Sequence, residues 1–349
     1  MSDFVHLHLH SHFSLLDGAN RLDDVVAAAA AAGMPAMALT DHGNMFGAIE
    51  LYTRCKAAGI KPIVGVEAYV AQGSRLDRTP GKGSSNHLVL LAKNETGYRN
   101  LLKLTSSAYL EGFYYKPRID KALLRQHSEG LIGLSACLKG EINEKIVGNL
   151  EKEAEATARD FLEIFGEGSF YLEMQDHGIP EQRLANEVLR RISRRTGIPL
   201  VVSNDCHYHK KDDAFAHDVL LCIGLGKDRG DQDRMRYDSG LYFKSADEIA
   251  SCFVGRPDVL EGNPRHRYQP ERAYANSKLA NVLFALELAR RAERAGSPLV
   301  SNAAHPGVAA TNLVASEQGL GSIPGVRQLS PLFMRLLFQS AEAGAAPVL

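Results

Sequence analysis

The sequence predicts an α/β fold in which strands and helices alternate and the strands close into a βα barrel. Short apolar runs of the β type recur about seven times, and most are followed by a segment with helical periodicity. The chain has 349 residues, of which 45% are hydrophobic and 23% charged, so it is long enough to bury a large core. This alternation indicates a parallel sheet, and the number of units fits a closed barrel better than an open sheet.

The predicted elements follow in chain order from these patterns. Apolar and β-branched runs predict strands at Phe4–His10, Ala36–Asp41, Pro62–Val70, His87–Ala92, Leu131–Ser135, Phe170–Gln175 and Pro199–Ser203. Apolar residues at helical spacing predict helices at Leu22–Ala32, Phe46–Ala58, Thr96–Leu110, Lys121–Gln126, Glu141–Phe165 and Glu181–Arg195.

The first predicted strand carries alternating histidines, in the run His6-Leu7-His8-Leu9-His10-Ser11-His12. Because side chains alternate along a strand, His6, His8 and His10 are expected to share one face. Imidazoles that converge on one point indicate a metal site. The alternative is an edge strand whose histidines face water.

Polar residues recur where the predicted strands end, which is the edge that carries the chemistry in βα barrels. His87 is the exception, because it opens its apolar run. In order, the residues at strand ends are His8 and His10, Asp41 and His42, Glu67, Cys137, Gln175 to His177, and Asp205 with His207.

This set offers roughly nine candidate ligands, whereas one catalytic zinc usually takes three protein ligands and a water. It therefore suits two or three divalent ions. Imidazole, carboxylate and thiolate together fit zinc best, and manganese or iron(II) is also compatible. Clustered ions activate water and stabilise both oxygens of a displacement at phosphorus, which favours phosphoester hydrolysis. A metal-dependent amidohydrolase would use similar ligands.

The composition excludes several other classes of protein. The formal charge of −1 gives no overall basic field, so DNA binding would have to come from local patches. Five irregularly spaced cysteines argue against a disulfide framework and indicate the reducing cytoplasm. We predict no signal peptide, no membrane span and no membrane partner.

Several motifs carry a resemblance to a known family. His8-x-His10 with Asp17, Thr40-Asp41-His42-Gly43, Gly65-Val66-Glu67, Asn86-His87, Ser135-Ala136-Cys137 and Asn204-Asp205-Cys206-His207 resemble the motifs of the polymerase and histidinol phosphatase (PHP) superfamily. The stretches 14–19 and 108–118 are more specific and resemble the N-terminal domain of bacterial replicative DNA polymerase III alpha subunits. The resemblance extends to about Glu261, so we predict a PHP domain over residues 1–261.

The resemblance implies a distorted seven-stranded βα barrel, a trinuclear metal site and 3′→5′ exonuclease proofreading on DNA 3′ ends. It also implies contacts with other replisome subunits. We assign catalytic roles to His8, to Glu67 as a bridging carboxylate, and to Asp205. The alternatives are a scaffold held together by its metals and a small-molecule phosphatase of the same superfamily. The implied metal ligands are His8, His10, Asp17, His42, Glu67, His87, Cys137, Asp205 and His207.

Two further stretches bear on nucleic-acid binding. The loop Tyr109–Arg118 interleaves aromatic residues with Lys116 and Arg118, a pattern suited to stacking a base and contacting its phosphate, or to sealing the barrel rim. Arg190, Arg191, Arg194 and Arg195 form a basic run, for which a solvated helix face is the preferred interpretation over a DNA patch.

The last quarter, residues 262–349, carries sequence motifs of a different kind. Tyr274 and Lys278 are one helical turn apart, and about 265–313 resembles the C-terminal part of a short-chain dehydrogenase/reductase, an incomplete Rossmann-like fragment. The glycine-rich phosphate turn is absent from the sequence, so we expect no NAD(P) binding and no oxidoreductase activity. The motifs of polymerase palm, fingers and thumb are also absent, and the junction indicates a chimeric or truncated chain.

Overall fold

A computed structural model describes residues 4–15, 17–79, 85–234, 236–237 and 240–253, together with the backbone of Ala309–Ala310 and Gln339–Ser340. The chain divides into two units, Met1–Asn263 and Pro264–Leu349. In the second unit, the two short backbone segments pair as parallel strands. Tyr274 and Lys278 lie outside the described residues.

The first unit alternates strands and helices along the chain. Its strands are β1 (Ala36–Leu39), β2 (Lys61–Ala71), β3 (Ser85–Ala92), β4 (Arg118–Ile119), β5 (Leu131–Leu134), β6 (Phe170–Met174) and β7 (Leu200–Val202). Its helices are α1 (Leu22–Ala31), α2 (Ala48–Ala57), α3 (Glu95–Leu110), α4 (Lys121–Gln126), α5 (Glu141–Val147), α6 (Glu151–Phe165), α7 (Pro180–Thr196), α8 (Ala214–Leu225) and α9 (Ala246–Cys252).

The strands form one curled, mixed sheet in the order β1-β2-β3-β5-β6-β7, with β4 also pairing with β2. β3 is antiparallel to both β2 and β5, so the prediction of a purely parallel sheet is wrong at this strand. The described part of the connection after β2, residues 72–79, contains no helix, whereas a parallel return needs a longer crossover that is usually helical. The reversal places the start of β3 beside the end of β2, and this explains how His87 reaches the edge where the other strands end.

The predicted first strand is an extended but irregular segment rather than a regular strand. His6 O accepts a hydrogen bond from Ala38 N at 2.8 Å, and His10 N donates to Cys206 O at 2.8 Å. Leu9 N donates to the side-chain Oγ1 of Thr40, which interrupts the backbone ladder. The segment thus lies between β1 and the chain that follows β7, and it closes the curled sheet into a distorted barrel.

Two further differences concern helices. The predicted helix Glu141–Phe165 is two helices, because Gly148 ends α5 and Asn149 takes a left-handed φ of 60°. Helices α8 and α9 were not predicted. Among the described residues, no helix combines the length and apolar character needed to cross a membrane.

The largest part of the core lies between the sheet and helices α3 to α7. Phe161 and Phe165 of α6 stack on Phe170 of β6, with ring centroids 5.3 and 5.8 Å apart. Aromatic pairs of this kind add about 0.5–1.5 kcal/mol beyond their burial. They hold the C-terminal half of α6 against the start of β6.

We expect Gly97→Ala to destabilise the protein by about 1–3 kcal/mol, the range for overpacked sites, although alanine is the better helix former. A Cβ at Gly97, in the first turn of α3, would lie 1.9 Å from Gly130 O. Urea unfolding measures the effect. Gly73→Ala is the matched control because a Cβ there meets nothing within 4 Å, and equal stability of the two variants would contradict the prediction.

Candidate metal centre

The predicted ligands come together around Glu67, which lies within β2 beside the chain that follows the end of β1 and is almost fully buried. Its Oε1 lies 3.2 Å from His8 Nε2 and 2.9 Å from His87 Nδ1. Its Oε2 lies 2.6 Å from His42 Nδ1 and 3.7 Å from His10 Nε2. One carboxylate therefore contacts four imidazoles, an arrangement that suits a bridging ligand.

Asp205 joins the same group from the turn after β7. Its Oδ1 lies 3.2 Å from His8 Nε2 and 3.1 Å from His10 Nε2. The backbone of Asp205 adopts a left-handed φ of 48°, which is costly for a residue other than glycine. Backbone strain of this kind is common where a side chain must be aimed at a functional site.

Asp17 and Cys137 complete the group at its periphery. Asp17 Oδ1 lies 3.0 Å from His207 Nε2, and Asp17 Oδ2 lies 3.2 Å from His42 Nε2. Cys137 Sγ lies 3.7 Å from His87 Nδ1. All nine residues predicted as ligands therefore lie in one connected cluster of side chains.

Hydrogen bonds outside the cluster orient the imidazoles. His8 Nδ1 donates to Glu173 Oε1 at 2.7 Å. His10 Nδ1 lies 3.1 Å from Ser14 Oγ, and that hydroxyl donates its proton to Asp41 Oδ1, so the imidazole is the donor to the hydroxyl. Since each Nδ1 carries the proton, each Nε2 presents a lone pair to the cluster.

His207 follows the same rule, because its Nδ1 donates to the backbone oxygen of Asp205 at 2.7 Å. The Nε2 atoms of His8, His10 and His207 are buried and make no hydrogen bond to any described residue. Both carboxylate oxygens of Glu67 are buried and face imidazole nitrogens at 2.6–3.7 Å. Two atoms bound to one tetrahedral zinc at ~2.1 Å lie about 3.4 Å apart, close to the separations found here.

Unpartnered lone pairs at these separations fit divalent cations. Three sets of residues have ligand atoms that all lie within 4.8 Å of one another. They are His10 with His42 and His207, His8 with His10 and Glu67, and His42 with Glu67 and His87. These overlapping sets share His10, His42 and Glu67, so the cluster suits adjacent ions with common ligands.

The local charges shift the pKa values of the cluster in opposite directions. Burial alone lowers the pKa of His42, but the charges of Asp17 and Glu67 outweigh burial and raise the pKa to about 10. Burial and the positive charges of His42 and His207 lower the pKa of His10 to about 3. Burial raises the pKa of Glu67, yet the surrounding imidazoles outweigh it and hold that pKa well below its usual range. The electrostatics therefore favour an ionised Glu67.

Three histidines of the sequence patterns, His6, His12 and His177, lie outside the cluster; His12 is exposed and packs on Phe13. His6 donates from Nε2 to Lys244 O at 3.0 Å and packs on Phe243, so the expectation that it shares a face with His8 is wrong. The cause is the bend in the irregular segment. His177 donates to Asn204 O at 2.9 Å and accepts from Gln182. Both ring nitrogens are therefore engaged in hydrogen bonds outside the cluster.

The rim of the centre is formed in part by the loop Tyr109–Arg118. The Tyr69 ring lies 6.0 Å from His42 and 5.3 Å from His87, and Lys116 Nζ lies 5.3 Å from the Tyr69 ring centre. Tyr115 has a left-handed φ of 59° and is 79% exposed. The loop therefore places a cation over Tyr69, which lies beside the candidate metal ligands, and it also carries an exposed aromatic ring.

The arginine run of α7 pairs with another helix. Arg191 and Arg195 contact Glu151 of α6 at 2.6 and 2.8 Å, and Arg195 also contacts Glu155. This pairing agrees with the preferred interpretation of the run as an ordinary helix face.

Comparisons with known proteins agree with this geometry. Residues 6–177 match the family model described as the PHP domain. The chain is 48% identical over 260 residues to the DNA polymerase III subunit alpha of Treponema pallidum and 49% identical over 267 residues to that of Borreliella burgdorferi. These matches cover 74% and 76% of this chain but 22% and 23% of the relatives, so the chain spans less than a quarter of their length.

Solved structures give weaker likenesses. An amidohydrolase from Chromobacterium violaceum is 15% identical with a TM-score of 0.37, and the match covers 58% of this chain and 87% of that one. The family assignment therefore rests on the sequence comparisons. The chain contains a PHP domain at residues 6–177 and is homologous, over about three quarters of its length, to DNA polymerase III alpha subunits.

Proposed function

We propose that this domain is a metal-dependent phosphoesterase that removes nucleotides from DNA 3′ ends, a 3′→5′ exonuclease. The observation that carries the proposal is the cluster of unpartnered imidazole nitrogens and carboxylate oxygens around Glu67. Homology to polymerase alpha subunits supports DNA as the substrate. Two or three divalent ions, with zinc preferred over manganese or iron, are the proposed cofactors.

The nine clustered residues would hold the ions. Bound ions lower the pKa of a water and stabilise developing charge on the phosphate oxygens. Glu67 and Asp205 would neutralise the ions from the buried side, and His8 and His10 are held in place by hydrogen bonds from their Nδ1 atoms. Rigid ligands reduce the reorganisation that the reaction needs.

Accessibility favours catalysis over a purely structural role. The floor of the cluster, formed by His8 and Glu67, is buried, whereas the side chains of Asp17, His42 and His87 are 21%, 13% and 18% exposed. A catalytic metal site keeps a position open to water and substrate, and a structural site is closed by protein ligands. The partly exposed side supplies such an approach.

Degradation of a 5′-labelled single strand by the purified chain tests the proposal. Stepwise shortening that requires added divalent metal and stops with chelator is the expected result. A strand with a blocked 3′ end distinguishes exonuclease from endonuclease action, because it should resist. Bound metal without any shortening of DNA would favour the scaffold hypothesis, and release of phosphate from a small phosphomonoester alone would favour the phosphatase.

We expect Lys116→Ala to raise the KM for single-stranded DNA several-fold with little change in kcat. Lys116 is held over Tyr69 beside the cluster, where its ammonium group can contact a phosphate of the strand without touching the reacting atoms. Steady-state kinetics at two salt concentrations measures the effect. Lys56→Ala is the control, because Lys56 lies in the last turn of α2, away from the edge that holds the cluster. An unchanged KM for Lys116→Ala would exclude this contact.

The proposal extends to partners, compartment and domain bounds. Other replisome subunits are the proposed protein partners and the cytoplasm is the proposed compartment. Residues 1–261 are proposed as the functional domain. For residues 262–349 we propose no oxidoreductase activity. Saturable NADPH binding by the purified chain would contradict that statement.

A further inference from the structure

Glu173 is a buried carboxylate that sequence patterns did not single out. It lies in β6 between Leu172 and Met174, which belong to the apolar core. Its side chain is fully buried. Placing a carboxylate in such a strand is costly unless its hydrogen bonds are satisfied, and buried acidic groups are almost always paired. The partners of Glu173 therefore indicate its role.

Three donors converge on one oxygen of this carboxylate. Oε1 accepts hydrogen bonds from His8 Nδ1 at 2.7 Å, from Gln175 Nε2 at 3.0 Å and from Ser203 Oγ. The backbone N–H of Glu173 also donates to Ser135 Oγ at 2.8 Å. The three donors come from the segment before β1 and from residues that follow β6 and β7, so Oε1 is held from three sides. The other oxygen, Oε2, makes no hydrogen bond to a described residue.

His8 is the group that this arrangement positions. Its Nδ1 faces Glu173, and its Nε2 faces Glu67 and Asp205 at 3.2 Å each. An imidazole held by a carboxylate at Nδ1 can present only the Nε2 lone pair to an ion, and the carboxylate makes that nitrogen more basic. We propose that Glu173 is a positioning residue that fixes His8 for metal binding through this hydrogen bond. The inference rests on the proposed metal site.

The rate at which the full-length protein releases metal to excess chelator tests the inference without an activity assay. Loss of such a partner lowers metal affinity about 10–100-fold, so release from Glu173→Leu is expected to be faster by a factor in that range. Glu173→Gln, which keeps the shape and an acceptor but loses the charge, should lie between wild type and Glu173→Leu. Ser203→Ala, which removes one donor to Glu173, should speed release less than either.

Asp120→Asn is the matched control. Asp120 is also a buried carboxylate, but it caps α4 and binds Arg75, so its loss should lower the melting temperature without changing metal release. If the Glu173 variants melt at a lower temperature and release metal at the wild-type rate, the residue is merely structural and the inference is overturned. Should Glu173→Leu fail to fold, unchanged release from Ser203→Ala and Glu173→Gln would overturn it equally. A wild-type chain that holds no metal would instead refute the proposed function.

Discussion

The Asp205→Asn substitution is expected to lower the rate of the proposed metal-dependent DNA hydrolysis by at least about a hundredfold. The Lewis-acid contribution of a bound ion is several kcal/mol, and each 1.36 kcal/mol is tenfold in rate. Asp205 Oδ1 faces both His8 and His10 at 3.1–3.2 Å. Asparagine keeps the size of the side chain but removes the charge that neutralises the ions. The initial rate of shortening of a 5′-labelled strand, at saturating metal, measures the loss.

Asp160→Asn is the matched control for this substitution. Asp160 lies on α6 and pairs with Lys121 and Arg125, away from the cluster. It should retain the wild-type rate. Equal rates for Asp205→Asn and wild type, both with metal bound, would show that Asp205 has no part in the reaction.

Removal of the metals is expected to lower the melting temperature of the wild-type chain by roughly 10 °C. A ligand present at about 1,000 times its Kd stabilises the folded state by about 4 kcal/mol, and each kcal/mol is about 2–4 °C for a domain of this size. The physical cause is that the ions compensate buried lone pairs around Glu67 that make no hydrogen bonds to the described residues. Calorimetry before and after chelation, followed by restoration of the metal, measures the shift.

The Glu67→Gln variant separates metal loss from other effects of the chelator. Glu67 contacts four imidazoles, so its substitution should weaken binding and make chelation nearly without effect on the melting temperature. A wild-type melting temperature that does not respond to chelation would contradict the account of the cluster as a metal centre.

The alternation of strand and helix, together with the residues at strand ends, was sufficient to predict the barrel and to locate most of the clustered side chains. Asp17 was named through the family resemblance, and His87 was an exception to the strand-end rule. These patterns failed to predict features that depend on which segments pair with one another. The apolar run of β3 carries no signal of its direction, and the reversal is visible only in its antiparallel pairing with β2 and β5. The irregular segment at His6 to His10 looks like a strand because alternation cannot detect that Thr40 takes the backbone donor of Leu9.

Residues that act through another side chain were harder to predict. Glu173 belongs to none of the quoted sequence motifs. The sequence marks it only as an acidic residue within an otherwise apolar strand. Ser14 and Asp41 orient His10, but serine and aspartate after a strand are usual in turns and caps. His6 shows the opposite error, because its spacing from His8 suggested a ligand and the bend of the segment turned it to Lys244. Spacing finds candidate ligands, whereas hydrogen-bond geometry decides which of them face the centre.

The metal content of the chain, purified without chelator and measured by mass spectrometry, decides whether the cluster is a metal centre. We expect two to three equivalents of divalent metal per chain, mainly zinc. The His8→Ala variant should hold fewer, because it loses the imidazole nitrogen that faces Glu67 and Asp205. A wild-type chain with no stoichiometric divalent metal, before or after incubation with zinc or manganese, would contradict the account.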